Sequence, residues 1–88
     1  MGERKSGWCV YLLSCADGTL YCGCTDDLER RVKTHNDGKG AKYTRCRTPV
    51  FAVYQGICAD RSAALKEEAH IKKFSRAQKL VLIDQGSE

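Results

Sequence analysis

Apolar and aromatic residues dominate two short segments near the start of the chain, at residues 8–13 and 19–23. This composition is typical of strands, in which successive side chains point to opposite faces of the sheet. Asp17 and Gly18 separate the segments, and this pair favours a tight hairpin turn because both residues tolerate a positive φ. Our hypothesis is that the hairpin closes symmetrically about this pair and that Tyr11 and Tyr21 share one face of the sheet without lying directly opposite each other, although alternation alone does not fix the register.

Helical periodicity then appears in three segments, with one more strand between the first and the second. The predicted elements are a helix at 27–36, a strand at 50–54 that Pro49 opens, a helix from Asp60 or Ser62 to residue 74, and a helix at 76–83 that Ser75 caps. The order β-β-α-β-α-α predicts an α+β fold in which helices flank a small three-stranded antiparallel sheet. At 88 residues, we expect a single domain, 1–88, with its core at 8–83.

The first helix carries a basic residue and a histidine near its apolar face. Leu28 and Val32 mark that face, His35 falls on it and Arg31 falls at its border, whereas Arg30 points to solvent. One interpretation is structural, with Arg31 as a border residue that keeps its charge in water and His35 as a core histidine. The other is a pair of functional side chains. Residues 25–27 offer N-caps for this helix, and residues 26 and 29 fit a capping box.

A carboxylate interrupts the apolar stripe of the next helix. Ala64, Leu65 and Ile71 are predicted to define the stripe, and Glu68 lies within it. Glu67 borders the stripe, so the helical wheel favours Glu68 only slightly. A carboxylate on an apolar face is costly unless it is paired or binds a cation.

The chain carries a formal net charge of +4, with 42% hydrophobic and 30% charged residues, which argues against disorder. Basic residues concentrate at 37–48, where no acid follows Asp37. Basic side chains interleaved with a tyrosine and flexible glycines suit a phosphate backbone, although a solvated loop is the alternative. The candidate nucleic-acid contacts of this segment are Lys39, Lys42, Tyr43, Arg45 and Arg47.

Six cysteines are many for a chain of this length. Only Cys22 and Cys24 form a close pair, and no second pair follows at zinc-finger spacing, so reduced thiols are favoured over a metal site or disulfides. No apolar run approaches the roughly 20 residues of a membrane span. The polar N-terminus has no signal-peptide core, and we expect a cytoplasmic protein.

Several motifs together resemble the GIY-YIG nuclease domain. The resemblance rests on Cys-Val-Tyr at 9–11, Tyr-Cys-Gly at 21–23, Leu-x-x-Arg-x-x-x-His at 28–35 and Ala-Leu-x-x-Glu at 64–68. The segments 40–45 and 71–76 look like the small stand-alone bacterial branch of this family, which is related to the nuclease domain of the excision-repair protein UvrC. The resemblance covers residues 8–83.

The resemblance implies phosphodiester cleavage with one divalent ion, Mg²⁺ or Mn²⁺. By motif, Tyr11 and Tyr21 are the active-site phenols and Arg31 is the catalytic arginine. His35 takes the histidine-or-tyrosine position that follows this arginine, and Glu68 is the metal ligand. These residue types suit the reaction, because a hard cation prefers oxygen ligands and an arginine fork matches two phosphate oxygens. A phenol can act as a base near pH 7 only if about 4 kcal/mol of differential stabilisation of its ionised form lowers its pKa. Arg31 and the metal are plausible sources of this stabilisation.

The chain departs from the family pattern at three cysteines. Cys9 replaces the first glycine and Cys22 replaces an isoleucine. Cys24 stands where repair-nuclease members carry an active-site lysine, so that charge is absent or comes from elsewhere, for example from Lys42. Substrate choice then rests on the basic loop, on a protein partner or on the end of the chain, where the basic residues are Lys72, Lys73, Arg76 and Lys79.

The sequence thus predicts a metal-dependent endonuclease that acts on DNA, with structured or repair-intermediate DNA as a refinement and RNA as the alternative nucleic acid. A rival hypothesis is a non-catalytic nucleic-acid-binding domain on the same scaffold. A third hypothesis is a thiol-rich redox or metal-binding protein built on Cys22 and Cys24.

Overall fold

A computed structural model describes residues 7–40 and 47–86 of the chain. Its strands are β1 (Cys9–Ser14), β2 (Leu20–Thr25) and β3 (Phe51–Ile57), and its helices are α1 (Leu28–Asn36), α2 (Arg61–Lys72) and α3 (Arg76–Gly86). This order confirms the predicted α+β fold. The three strands form an antiparallel sheet in the order β2-β1-β3, so the first strand lies in the centre.

The central strand supplies apolar side chains to both faces of the sheet. Val10 and Leu12 pack with Cys22 of β2 and Ile71 of α2 on one face. Tyr11 and Leu13 belong to the other face, where Leu28 and Val32 of α1 are among their neighbours. Burial on both sides explains why β1 reads as a nearly continuous apolar run.

The buried stripe of α2 differs from the prediction at one position. Ala64 and Ile71 are fully buried, but Leu65 is 42% exposed, so its assignment to the stripe is wrong. Ala64, Glu68 and Ile71 follow the i, i+4, i+7 spacing of one helix face, and Leu65 lies about 100° from Ala64 around the axis. The sheet therefore contacts a narrower stripe, and Glu68 lies within it.

The start of α1 also differs from the prediction in detail. The N-cap is Asp27, whose Oδ1 accepts the backbone N–H of Arg30 at 3.1 Å. The capping box predicted at Asp26 and Glu29 is wrong, because Thr25 Oγ1 accepts the N–H of Asp27 and holds residue 26 in the turn before the helix. In α2 the cap is Asp60 and not the alternative Ser62, and Ser75 caps α3 as predicted.

The end of α1 is fixed to the segment that leads into β3. The side chain of Asn36 donates to the carbonyl oxygen of Val50 at 3.1 Å and accepts the N–H of the same residue at 2.7 Å. Val50 is 1% exposed, so water does not readily replace these bonds. These two hydrogen bonds, the Asn36 clamp, fix the position of α1 and of its side chains relative to the sheet.

We expect Asn36→Ala to lower the free energy of unfolding by about 1–3 kcal/mol, because it leaves a buried N–H and C=O without partners. Urea unfolding followed by circular dichroism measures the change. Asn36→Asp keeps an acceptor for the N–H and loses the donor, so it should fall between wild type and Asn36→Ala. A loss below about 0.5 kcal/mol for Asn36→Ala, the range of ordinary surface substitutions, would contradict the clamp.

No disulfide joins the cysteines that the structure describes. Cys9, Cys15 and Cys22 are buried, and Cys24 and Cys58 are half-buried. Among residues 7–40 and 47–86, no helix has the length and apolar character needed to cross a membrane.

Candidate active site

The residues predicted for catalysis meet in one cleft of about 400 Å³ beside the sheet. Both hairpin strands, α1, α2 and the segment after α1 contribute to its lining, which consists of Tyr11, Tyr21, Gly23, Cys24, Arg31, His35, Lys39, Gly40 and Glu68. All five side chains that the sequence proposed for catalysis are present. Four separate elements therefore bring them to one place.

The two phenols are diagonal neighbours on the sheet. Tyr11 lies opposite Gly23 in the hairpin register, and Tyr21 lies opposite Leu13. This register confirms that the tyrosines share a face without direct opposition. The predicted symmetric closure about Asp17 and Gly18 is wrong, because Ser14 pairs with Leu20 and the loop is therefore centred on Asp17. The ring of His35 contacts both at T-shaped angles, with centroid distances of 6.4 Å to Tyr11 and 5.5 Å to Tyr21.

Two glycines make room for these rings. A Cβ at position 23 would lie 2.5 Å from Oη of Tyr11 and 2.7 Å from its Cζ, closer than ordinary atomic contact allows. A Cβ at position 40 would overlap Nδ1 of His35. Glycine is thus needed at both positions for close approach of the backbone to a side chain.

The helical spacing of α1 sets the positions of its two functional residues. His35 is 1% exposed and lies on the buried face. Arg31, one turn earlier, is exposed to solvent yet lines the same cleft. The arginine can therefore meet a ligand from solution, whereas the histidine can reach that ligand only through its neighbours.

Tyr11 and His35 form a buried polar pair. The Oη of Tyr11 lies 3.4 Å from Nε2 of His35. Burial raises the pKa of Tyr11, and the charges of Tyr21 and Arg31 act in opposite directions on it. Burial, followed by the charge of Arg31, lowers the pKa of His35. Arg31 thus favours ionisation of Tyr11, as expected, but burial outweighs it, so a neutral phenol faces a neutral imidazole at pH 7.

Glu68 is the only carboxylate among the described residues that line the cleft. Its side chain is 18% exposed, and each of its oxygens has a proton donor. The thiol of Cys24 donates to Oε1 at 3.4 Å, and Nζ of Lys72 lies 3.1 Å from Oε2. These partners stabilise a carboxylate that would be costly to bury alone.

The two neighbouring thiols stay protonated near neutral pH. Burial and the nearby charge of Glu68 raise the pKa of Cys22 and of Cys24 to about 11. The thiolate is the nucleophile and the usual metal-binding form of cysteine. Within the described part of the chain, moreover, no group of three or more His, Cys, Asp or Glu side chains is arranged to hold a metal. These features disfavour the hypothesis of a thiol-based redox or metal site.

The residues predicted to contact nucleic acid fall in three places. Lys39 lines the cleft, and Lys72 lies beside Glu68. Lys42, Tyr43 and Arg45 lie outside the described residues.

Arg47 and Arg76 both bind the hairpin turn. The Nε of Arg47 lies 2.8 Å from Oδ2 of Asp17, and Nη1 of Arg76 donates to the carbonyl oxygen of Gly18 at 2.8 Å. The described contacts therefore give these two arginines a structural role.

Sequence reasoning missed three features of the site. The ion pair between Glu68 and Lys72 has a sequence signal, because acid and base four residues apart share a helix face. The need for glycine at positions 23 and 40 has only the glycine itself as a signal. The thiol of Cys24, which the sequence treated only as a replaced lysine, is a donor to Glu68.

The sequence profile of the GIY-YIG catalytic domain matches residues 7–80. The match includes every residue of the cleft, and the chain belongs to the GIY-YIG nuclease family. Nucleases of this family act on DNA.

Several relatives at about 50% sequence identity carry the name UPF0213. The chain is 51% identical over 77 residues to UPF0213 protein SSP2268 of Staphylococcus saprophyticus, covering 88% of this chain and 94% of the relative. It is 52% identical over 80 residues to a UPF0213 protein of Syntrophus aciditrophicus, covering 90% of this chain and 92% of the relative.

Two solution NMR structures resemble the fold. The UPF0213 protein BH0048 of Bacillus halodurans has 41% identity and a TM-score of 0.58, with 91% of this chain and 86% of that protein covered. Protein EF2693 of E. faecalis has 41% identity and a TM-score of 0.60, with 97% and 90% covered.

Proposed function

We propose that this protein is a metal-dependent endonuclease that hydrolyses phosphodiester bonds in DNA. One observation carries the proposal: Tyr11, Tyr21, Arg31, His35 and Glu68 line a single cleft although they come from four elements. Each of them has a chemical part to play in phosphodiester hydrolysis, as follows.

The donor set of the cleft suits one Mg²⁺ or Mn²⁺ ion. Glu68 offers oxygen ligands, and no second described carboxylate lines the cleft. Hard divalent cations are commonly bound by one or two carboxylates while water and substrate phosphate fill the other positions. When bound, the ion supplies charge neutralisation at the phosphate and at the leaving oxygen.

Arg31 binds the scissile phosphate. Its guanidinium group lies at the solvent side of the cleft, where it can donate two parallel hydrogen bonds to non-bridging oxygens. As charge builds on these oxygens during attack by water, the donors become more strongly bound, which lowers the barrier. Lys39, also in the cleft lining, adds a second positive charge at the mouth.

Tyr11 and His35 accept the proton of the attacking water as a pair. The neutral imidazole Nε2 lies 3.4 Å from the phenol oxygen and can take the phenolic proton. The phenol in turn receives the proton of the water, so no free phenolate with a strongly lowered pKa is required. Tyr21 also contacts the imidazole, at a centroid distance of 5.5 Å, and helps to keep the ring oriented.

Structured or repair-intermediate DNA is the substrate that we favour, and a branched DNA represents it in vitro. Purified protein should cleave plasmid and branched DNA with Mg²⁺ or Mn²⁺, with a matching RNA as comparison. Arg31→Ala should slow cleavage by about 100-fold or more, the usual cost of one transition-state donor. Arg30→Ala removes the same charge from the adjacent exposed position and should keep nearly the wild-type rate.

Two results would contradict the proposal: no cleavage of any substrate with either metal, or equal rates for the two arginine variants. Salt-sensitive DNA binding without cleavage, weakened by substitution of Lys42 and Arg45 but not by Glu68→Ala, would instead support the non-catalytic binding domain.

A further inference from the structure

A lysine that the reaction scheme above does not use is bound to the carboxylate that the scheme assigns to the metal. Nζ of Lys72 lies 3.1 Å from Oε2 of Glu68, and the two residues are one helical turn apart on α2. The lysine side chain is 53% exposed and that of Glu68 is 18% exposed. The ammonium group therefore sits at the boundary between the cleft and solvent, on a flexible stem.

The ammonium group of Lys72 is also close to a phenol of the site. Burial raises the pKa of Tyr21, and the charge of Lys72 is the strongest influence in the opposite direction. Lys72 is thus coupled electrostatically to two residues of the site, Glu68 and Tyr21.

A divalent cation and Lys72 compete for Glu68. A cation on this carboxylate would bring two positive centres within a few ångströms of each other, and like charges at that distance repel strongly in a partly buried site. Because the lysine is half-exposed, it can turn away without disturbing the helix. A phosphate of a nucleic acid in the cleft would offer the released ammonium group a new partner.

We infer that Lys72 is an exchangeable counterion: it holds Glu68 until a divalent cation binds, and then binds a phosphate of the substrate. This inference rests on the proposed function of the cleft and adds a coupling to it. Release of the lysine by the cation makes metal and DNA binding mutually favourable, and the coupling is reciprocal.

The first test measures binding of Mn²⁺ to the full chain without DNA, with the electron paramagnetic resonance signal of free Mn²⁺ as the readout. Lys72→Met should bind Mn²⁺ about fivefold more tightly than wild type, since a partly exposed ion pair is worth up to about 1 kcal/mol. Lys72→Arg keeps the ion pair and should bind like wild type. Lys73→Met, at the adjacent exposed position, removes the same charge and should also match wild type. Glu68→Gln should abolish this binding.

The second test is DNA affinity by fluorescence anisotropy, with Tyr11→Phe in every protein so that the probe is not consumed. Without metal, Lys72→Met and Lys73→Met should affect binding of a branched DNA to the same extent. With saturating Mn²⁺, the DNA affinity of the Lys72→Met variant should fall by a further factor of about five, and that of Lys73→Met should not. The reason is that Mn²⁺ releases only Lys72 from its ion pair with Glu68, which is worth up to about 1 kcal/mol.

The outcomes separate this inference from the proposed function. Equal Mn²⁺ affinity for the two methionine variants would overturn the exchange, even if the wild-type protein cleaves DNA. Tighter Mn²⁺ binding by Lys72→Met, with the metal-dependent loss of DNA affinity, would support the exchange even if cleavage is never observed.

Discussion

Glu68→Gln should reduce DNA cleavage by about three orders of magnitude or more, while the fold remains intact. The substitution keeps the size of the side chain and its place on the buried stripe of α2, but it removes the negative charge that attracts a divalent cation. A metal that neutralises a reacting phosphate lowers the activation barrier by several kcal/mol, and about 4 kcal/mol corresponds to a thousandfold change in rate. Initial cleavage rates over a range of Mg²⁺ and Mn²⁺ concentrations measure the loss.

The adjacent glutamate provides the matched control. Glu67 has the same charge and lies on the same helix, but it lines a different hollow with Tyr54 and Cys58. Glu67→Gln should therefore leave cleavage close to wild type. Loss of activity in both variants, or in neither, would remove Glu68 from the role of metal ligand. Circular dichroism of each protein checks that the fold is retained.

Gly23→Ala should lower cleavage by about 100-fold and also destabilise the protein by about 1–3 kcal/mol. The added methyl group would lie 2.5 Å from the hydroxyl of Tyr11, which is 2% exposed and has little space in which to move. Overpacking of this kind typically costs 1–3 kcal/mol, and displacement of a reacting group by about 1 Å can cost 100-fold in rate. Thermal unfolding and cleavage rates, measured at a temperature where the variant is folded, separate the two effects.

A glycine of β3 is a suitable comparison. A Cβ at Gly56 would lie 2.8 Å from the hydroxyl of Tyr54 and 3.2 Å from a methyl group of Val10, outside the cleft. Gly56→Ala should thus destabilise the protein to a similar degree and leave the rate of the folded protein unchanged. If Gly23→Ala cleaves as fast as Gly56→Ala, the position of the Tyr11 hydroxyl does not matter for the reaction.

The hairpin and the helix faces could be predicted because their signals are local. Alternation fixes which residues share a face within each strand. It does not fix the register between the strands: Ser14 pairs with Leu20, so the loop is centred on Asp17, and a slip of one residue would place the two tyrosines on opposite faces. The 3.6-residue period placed His35 on the buried face of α1 and Glu68 on that of α2. The choice of these side chains as catalytic candidates came from the resemblance to the GIY-YIG domain.

Contacts between distant segments could not be predicted in this way. Arg47 and Arg76 look like nucleic-acid contacts in a basic sequence, yet they bind a turn that lies 30 and 58 residues away from them. The exposure of Leu65 also depends on how wide a face α2 offers to the sheet, which apolar periodicity does not reveal. Nor does composition show that burial outweighs the charge of Arg31 at Tyr11.

The contact between Arg76 and the hairpin turn has a consequence for truncated forms of the protein. The family profile ends at residue 80, but Leu82 and Ile83 of α3 pack against the core cluster on the α2 side of the sheet. A fragment cut before α3 would lose both this apolar cover and a ligand of the turn that joins the two tyrosine-bearing strands. A fragment that ends with the family profile at residue 80 keeps Arg76 but loses Leu82 and Ile83, so a fragment with the complete core extends through the last helix.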